Sequence, residues 1–153
     1  KNEKFFLIET YSGYRSARRD SLGKQHTLPV TASAQELGAA LLDALVHTRF
    51  LSPDEPDEFF DYEKGQKDYA AWVQELMQRH GYKTRRALFK NMDCCSIDLP
   101  VQERQIKIVP MTHEKLEGWG RTKDDGIEDV YVSADSSPEE VGKALLLAFS
   151  RCQ

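Results

Sequence analysis

Ser33-Ala-Gln-Glu-Leu-Gly-Ala-Ala-Leu-Leu-Asp-Ala44 returns near the end of the chain as Ser137-Pro-Glu-Glu-Val-Gly-Lys-Ala-Leu-Leu-Leu-Ala148. In each stretch a serine is followed three residues later by a glutamate, the pattern of a helix capping box. The leucines and alanines then recur with helical spacing. We therefore predict helices at residues 33–48 and 138–150 that cover one face of a sheet. A chance likeness between two Leu/Ala-rich helices is the alternative.

Each repeat carries an interior glycine, Gly38 and Gly142. Glycine inside a helix is destabilising by roughly 1 kcal/mol relative to alanine, so its presence usually has a packing reason. We therefore expect both glycines to lie against a neighbouring backbone.

The remaining elements follow from hydrophobic spacing and turn residues. We predict a buried strand at 4–8, a hairpin pairing 14–20 with 25–31, a helix at 66–80, a hairpin pairing 95–99 with 106–108, and a strand at 130–132. Residues 83–91 are ambiguous between helix and strand. The predicted fold is α/β (α+β): one domain over residues 1–153, with a single mixed, mostly antiparallel sheet of about five to six strands and three helices packed on it.

Composition limits the classes of function. The 153 residues suit one domain and carry a net charge of −4. An acidic balance disfavours general nucleic-acid binding and suits a basic partner. There is no apolar run of the roughly 20 residues that a membrane helix needs. Lys1-Asn-Glu-Lys-Phe5 lacks the apolar stretch of a signal peptide, so we expect a cytoplasmic location.

The three cysteines are Cys94, Cys95 and Cys152. Neighbouring Cβ atoms point apart, so Cys94 and Cys95 do not form an ordinary structural disulfide with each other. Their spacing is neither a C-x-x-C pair nor a zinc pair. We expect reduced thiols, as is usual in cytosolic proteins.

No catalytic motif is present. The four histidines do not form H-E-x-x-H, and the chain has no G-x-G-x-x-G, P-loop or G-x-S-x-G sequence. The best nucleophile–base candidate is Cys94 or Cys95 with His113, against the ordinary reading of a structural cysteine in a strand. We predict a protein that is not an enzyme and that has no cofactor and no metal site.

The sharpest local feature is an acidic segment at residues 52–63, interpreted as a loop because Pro53 and Pro56 oppose a helix. Acids without an intervening base raise a negative potential that steers basic partners, and nearby aromatics supply contact energy. The alternative is a solvated loop anchored by its aromatics. Its candidate binding residues are Asp54, Glu55, Asp57, Glu58, Phe59, Phe60 and Asp61.

A second candidate surface is the polar, glycine-marked stretch from Gly118 to Asp129. Trp119, Asp124 and Asp125 are its candidate binding residues. The acids around Gly126 lack the spacing of a calcium loop, so a solvated turn is the simpler interpretation.

Two basic clusters favour a different function. They are Arg15, Arg18 and Arg19, and then Lys83, Arg85, Arg86 and Lys90. With Phe89 nearby, the second cluster suits RNA contacts. A small RNA-binding or adaptor protein is therefore the alternative hypothesis, although such bases more often pair with acids or face solvent.

Four segments resemble the CdiI-type immunity proteins of bacterial contact-dependent growth inhibition systems. They are Leu51-Ser-Pro53, Arg86-Ala-Leu-Phe-Lys-Asn-Met92, His113-Glu-Lys-Leu-Glu-Gly-Trp119 and Ala134-Asp-Ser-Ser-Pro-Glu-Glu-Val-Gly142. The resemblance implies that the chain binds the C-terminal toxin domain delivered by a neighbouring cell and blocks it in the cytosol. It does not imply a fold or an oligomeric state.

Many such toxins are nucleases, as the resemblance implies. A nuclease holds a polyanion, so its cleft is usually basic. The acidic segment is then expected to occupy that cleft, which makes the partner a basic nuclease domain.

Overall fold

A computed structural model describes residues 1–51, 58–100, 103–122 and 124–153, with only the backbone described for Glu58. Within these residues the elements follow in the order β1 (Phe5–Glu9), β2 (Tyr11–Gly13), β3 (Ala17–Arg19), β4 (Gln25–Pro29), α1 (Ala34–Val46), a 3₁₀ turn (Glu58–Phe60), α2 (Tyr62–His80), α3 (Arg85–Phe89), β5 (Cys95–Asp98), β6 (Gln105–Pro110), β7 (Thr112–Lys115), β8 (Gly118–Gly120), β9 (Val130–Ser133) and α4 (Pro138–Phe149). No helix among them is long and apolar enough to cross a membrane.

The strands form four small antiparallel sheets in the described part of the chain: β1–β4, β2–β3, β5–β6–β9 and β7–β8. The predicted single sheet of five to six strands with three helices is therefore wrong. Residues 85–89 form the additional helix, which begins at Thr84 because its side chain accepts the backbone N–H of Ala87. The α+β class is confirmed.

The predicted hairpin of 14–20 with 25–31 is also wrong. Residues 17–19 pair with β2, whereas 25–29 pair with β1, where Phe5 lies opposite Pro29 and Glu9 opposite Gln25. Pro29 ends its strand, as expected for a residue that cannot donate to a ladder. The hairpin of β5 with β6 is confirmed, and so is a strand at 130–132.

Strand β1 separates two apolar cores, which explains why its sequence is apolar without alternation. Phe6 and Ile8 face a core built with α1, α4, β6 and β9. Phe5 and Leu7 face a second core built with α2 and α3. A strand covered on both faces reads as a continuous hydrophobic run.

Helices α1 and α4 begin as predicted. Ser33 with Glu36 and Ser137 with Glu140 each form a complete capping box. The two helices pack on each other through their glycines: an ideal Cβ at Gly38 would lie 1.7 Å from the carbonyl oxygen of Pro138. A Cβ at Gly142 would lie equally close to the carbonyl oxygen of Ala34. The close approach of both glycines is confirmed.

The expectation that α1 and α4 cover one sheet is wrong in detail. Helix α1 contacts β1 and β4, whereas α4 contacts β6 and β9. The two helices share one core but lie over different sheets. The repeated sequence thus produces two similar α-on-β layers that meet at the paired glycines.

Helix α2 begins at Tyr62, earlier than the predicted start at 66. Asp61 is its N-cap and accepts the backbone N–H of Lys64 at 2.9 Å. The helix ends at His80, and its C-cap is Gly81, whose positive φ of 68° suits glycine.

Candidate functional site

The β2–β3 hairpin holds the residues that lead into the acidic segment. Gly13 accepts the N–H of Leu51 at 3.0 Å and donates its own N–H to the carbonyl of Arg49 at 3.2 Å. These bonds form an isolated parallel bridge between Gly13 and Phe50. The point where the chain enters the acidic segment is therefore fixed to the hairpin.

The same hairpin contacts the residues that follow the acidic segment. The Arg18 guanidinium lies 5.2 Å from the ring centre of Phe59 and 5.5 Å from that of Phe60. The two phenyl rings meet edge to face at 5.4 Å. Cation–π contacts of this kind contribute about 0.5–1 kcal/mol each at exposed sites. One hairpin thus holds both ends of the acidic segment.

An exposed aromatic pair stands at the start of the acidic segment. The rings of Tyr14 and Phe50 meet edge to face at 5.4 Å, yet Phe50 keeps 73% of its surface exposed and Tyr14 keeps 46%. Arg15 lies over the Tyr14 ring at 5.5 Å. Exposed aromatics held by one another lose little conformational entropy on binding and are typical contact residues. We call Tyr14, Phe50 and residues 59–61 the hairpin–loop surface, and the acidic segment joins its two parts in the sequence.

A buried carboxylate holds this surface to the body of the protein. Asp20 accepts two hydrogen bonds from the Arg49 guanidinium, at 2.8 and 3.0 Å. It also accepts the Ser12 hydroxyl at 2.6 Å and the Leu22 N–H at 3.0 Å. Its side chain is only 1% exposed. These bonds connect Ser12 in β2 and Asp20, which directly follows β3, to Arg49, the residue before Phe50.

Behind the hairpin, Glu9 is a half-buried acid. Gln25 donates to its carboxyl at 3.0 Å. Arg19 stacks over the neighbouring Trp72 ring, with 5.2 Å to its centre. Burial raises the pKa of Glu9 to about 7, against a smaller opposing effect from the charge of Arg19. Glu9 therefore changes charge near neutral pH.

We expect Glu9→Gln to stabilise the protein at alkaline pH more than at acidic pH. The folded-state pKa lies above the unfolded value, so this group's contribution to stability is complete below about pH 4.5 and is lost as the pH rises through about 7. With allowance for partial solvation, the variant should gain about 1–2 kcal/mol at roughly pH 8. Urea unfolding at both pH values, with exposed Glu103→Gln as the control, measures this. Equal effects of Glu9→Gln at both pH values would contradict it.

Only some of the predicted binding residues of the acidic segment lie within the described part of the structure. Asp54, Glu55 and Asp57 lie outside the described residues, and only the backbone of Glu58 is described. Phe59 and Phe60 are half-buried beside Arg18. Asp61 is exposed and caps α2, so its carboxylate already has a structural role. The acidic run has no base within it, and Arg18 lies over Phe59 and Phe60, which follow it in the sequence.

The other predicted residues lie on a different part of the fold. Trp119 is in β8, which corrects the predicted loop at 118–120. Its indole N–H donates to the carbonyl of Met92 at 2.6 Å, and its ring packs on Phe89 and stacks on His113. Trp119 therefore anchors the β7–β8 hairpin to the second core.

Asp125 is held by Arg121 in a two-point ion pair at 2.6 and 3.1 Å. Hydrogen bonds from Arg121 and from the Ile127 N–H hold the pKa of Asp125 below its usual range. Arg121 also binds Asp129 at 3.0 Å. Asp124 is exposed. Of these two adjacent acids, Asp124 is the better placed to meet a partner.

The cysteine–histidine hypothesis finds no support in the geometry. The His113 ring nitrogen contacts the carbonyl of Leu116 at 3.2 Å. Burial raises the pKa of the Cys94 thiol to about 11, which opposes thiolate formation. The Cys95 sulfur instead contacts that of Cys152, at 3.6 Å.

Tyr14 and Phe50 were not identified from the sequence as surface aromatics. They are far apart in the chain, and nothing local indicates that they meet. The basic cluster of Arg15, Arg18 and Arg19 was visible, but its contacts with Tyr14, Phe59, Phe60 and Trp72 needed the fold.

A protein family and several known proteins match the chain along almost its whole length. A family model described as CDI immunity protein (CdiI) matches residues 1–152. Immunity protein CdiI-YPIII of Yersinia pseudotuberculosis serotype O:3 (strain YPIII) is 43% identical over 164 residues, covering 99% of this chain and 92% of that protein.

Two solved structures share the fold. A chain of the CdiA-CT/CdiI toxin and immunity complex from Yersinia pseudotuberculosis matches with a TM-score of 0.92 and 41% identity, covering 100% of this chain and 94% of that one. A protein of unknown function from Neisseria meningitidis, NMB0488, matches with a TM-score of 0.91 and 43% identity, covering 100% and 92%.

Proposed function

The chain belongs to the family of CDI immunity proteins, because the family model matches residues 1–152 and a curated immunity protein is 43% identical to it across 99% of this chain. We propose that it neutralises a cognate CdiA-CT toxin by forming a stoichiometric complex with it and not by catalysing a reaction. The solved toxin and immunity complex of the Yersinia pseudotuberculosis relative supports binding as the mode of action. The predicted resemblance to CdiI-type proteins is thereby confirmed.

The hairpin–loop surface is the contact that we propose for the toxin. The observation that carries this proposal is the exposure of Phe50 and Tyr14, packed on each other where the acidic segment begins. An apolar pair beside a run of acids resembles the centre and rim of a protein interface. The residues on either side of the segment, Leu51 and Phe59, both contact the β2–β3 hairpin.

The proposed partner is a basic nuclease domain acting in the cytoplasm. An enzyme that binds a polyanion presents cationic groups in its cleft. The acids of the segment, which include Asp57 and Glu58, then take the position of phosphates. Charge complementarity of this kind accelerates association, and aromatic contacts slow dissociation.

The alternative RNA-binding role is less well supported. The bases of the first cluster lie over aromatic rings of the protein itself: Arg18 over Phe59 and Phe60, Arg19 over Trp72. In the second cluster, Arg85 lies 3.4 Å from Glu117 and stacks on Tyr69. The side chains of Arg18, Arg19 and Arg85 therefore already make contacts within the protein itself.

The test is the rate of association with purified CdiA-CT toxin. We expect the double variant Asp57→Lys, Glu58→Lys to associate at least roughly tenfold more slowly at low salt, with a smaller difference at high salt because screening weakens both charges. The matched control, Asp98→Lys with Glu103→Lys, changes the net charge equally at the β5–β6 end of the molecule. We expect this control to have a much smaller effect.

Phe50→Ala and Tyr14→Ala should mainly raise the rate at which the complex dissociates, because they remove packing rather than charge.

Titration of toxin activity should end at one immunity protein per toxin. An unchanged low-salt association rate in the folded double variant would sink the hairpin–loop surface and leave the exposed Asp124 region as the next candidate. An endpoint well below one equivalent would contradict stoichiometric inhibition.

A further inference from the structure

The sulfur atoms of Cys95 and Cys152 are neighbours from distant parts of the chain. They lie 3.6 Å apart although 57 residues separate them. Cys95 begins β5, and Cys152 follows the end of α4. Formation of a disulfide would shorten this separation to about 2.05 Å. We propose that this pair is a modification site, at which a peroxide oxidises the two thiols to an intramolecular disulfide.

The backbone around Cys152 is held in place, so the contact between the sulfurs is maintained. Gln153 donates its N–H to the carbonyl of Met111 at 3.3 Å and accepts the N–H of His113 at 2.6 Å. The Cys152 sulfur also contacts the Cys94 carbonyl at 3.3 Å. These bonds align the residues after α4 with the start of β7. A sulfur positioned in this way reacts with its neighbour rather than with a second molecule.

Neither cysteine of the pair is fully buried. Cys152 lines an open pocket together with Gly126–Glu128 and Ser150–Gln153. Cys95 is partly exposed as well. A hydrogen bond from the Cys95 thiol lowers the pKa of Cys152 to about 7, while the same bond raises that of Cys95. Because Cys152 lines this pocket and Cys95 does not, the Cys152 thiolate is the attacking group, and Cys95 is the resolving thiol.

The chemistry proceeds in two balanced steps. The Cys152 thiolate attacks the peroxide, an S–O bond forms as the O–O bond breaks, and the leaving oxygen takes up a proton. Cys95 then attacks the sulfenic sulfur, an S–S bond replaces the S–O bond, and hydroxide departs with the Cys95 proton as water. The two thiols together lose two electrons, and the peroxide gains them.

Cys94 does not take part. Its side chain and that of Cys95 leave the backbone in different directions, and burial raises the pKa of the Cys94 thiol to about 11. The new bond would tie β5 to the residues after α4 and close a long loop. Such cross-links restrict the unfolded chain and stabilise the folded one.

The experiment treats the fully reduced protein with hydrogen peroxide and counts free thiols. We expect the count to fall from three to one, the mass to fall by two hydrogens, and dithiothreitol to reverse both. The oxidised protein should melt several degrees higher. The matched control Cys94→Ser should still form the bond, whereas Cys152→Ser and Cys95→Ser should not.

Peptide mapping of the oxidised Cys94→Ser variant assigns the bond directly, because the substitution removes the cysteine adjacent to Cys95. The mapping decides the question even if Cys95→Ser or Cys152→Ser fails to fold. A linked peptide containing Cys95 and Cys152 supports the proposal. Three free thiols after peroxide treatment, a bond to Cys94, or a disulfide-linked dimer would overturn it. An unchanged melting temperature would overturn the claim that the bond stabilises the fold by tying β5 to the residues after α4.

Discussion

Gly142→Ala and Gly38→Ala are each expected to destabilise the protein by at least about 3 kcal/mol, the range of severe overpacking. In an ordinary helix interior the same change is stabilising by roughly 1 kcal/mol. Here the added Cβ would lie 1.7 Å from a backbone carbonyl oxygen, that of Ala34 for Gly142 and that of Pro138 for Gly38. Backbone atoms in a packed helix do not move aside as a flexible side chain does, so α1 and α4 must separate.

Urea unfolding measures this effect, and helix α2 offers a matched control. The nearest neighbour of a Cβ at Gly65 is the tip of the Arg18 side chain, at 3.2 Å. Gly65→Ala should therefore be neutral or mildly stabilising, because a side-chain tip can move and the helix gains propensity. If Gly142→Ala proved as stable as Gly65→Ala, the close crossing of α1 and α4 would not exist.

Asp20→Ala should destabilise the protein by about 2–4 kcal/mol. This is less than the loss expected when a fully buried ion pair is broken, because the Arg49 side chain is 38% exposed. The substitution removes the two hydrogen bonds that Asp20 accepts from the Arg49 guanidinium, and the Ser12 hydroxyl loses the carboxylate to which it donates. Burial alone would raise the pKa of Asp20, but hydrogen bonds from Arg49, Ser12 and the Leu22 N–H hold that pKa below its usual range. This contribution to stability is present at neutral pH and is lost as the pH falls through the folded-state pKa.

The control for Asp20→Ala is Asp135→Ala. Asp135 pairs with Arg104 at 2.7 Å, but the two side chains are 64% and 81% exposed. Such a surface pair contributes at most about 1 kcal/mol. Denaturant midpoints at neutral pH should therefore separate the two variants clearly. Similar losses for both would show that burial of Asp20 does not strengthen its ion pair.

Several features of the site were predictable because they depend on short segments. The acidic run and its aromatics are visible in the sequence, and so are the basic residues of the hairpin. Whether those acids bind the toxin remains a prediction. The sequence does not show that Arg18 lies against Phe59 and Phe60, or that Trp119 and Asp125 serve the fold. Those assignments depend on which distant residues meet.

The sequence by itself determined where α1 and α4 begin, that β1 is buried, and to which family the chain belongs. Capping boxes at Ser33 and Ser137 act over three residues, so the pattern is sufficient to place them. The tertiary structure alone decided the strand partners and the division into small sheets. Residues 25–29 pair with β1 and not with β3, although β3 is nearer in the sequence. The reason is that both faces of β1 are buried in apolar cores, and burial of this kind fixes which strands pair. Only the crossing of α1 and α4 explains why their glycines are needed together.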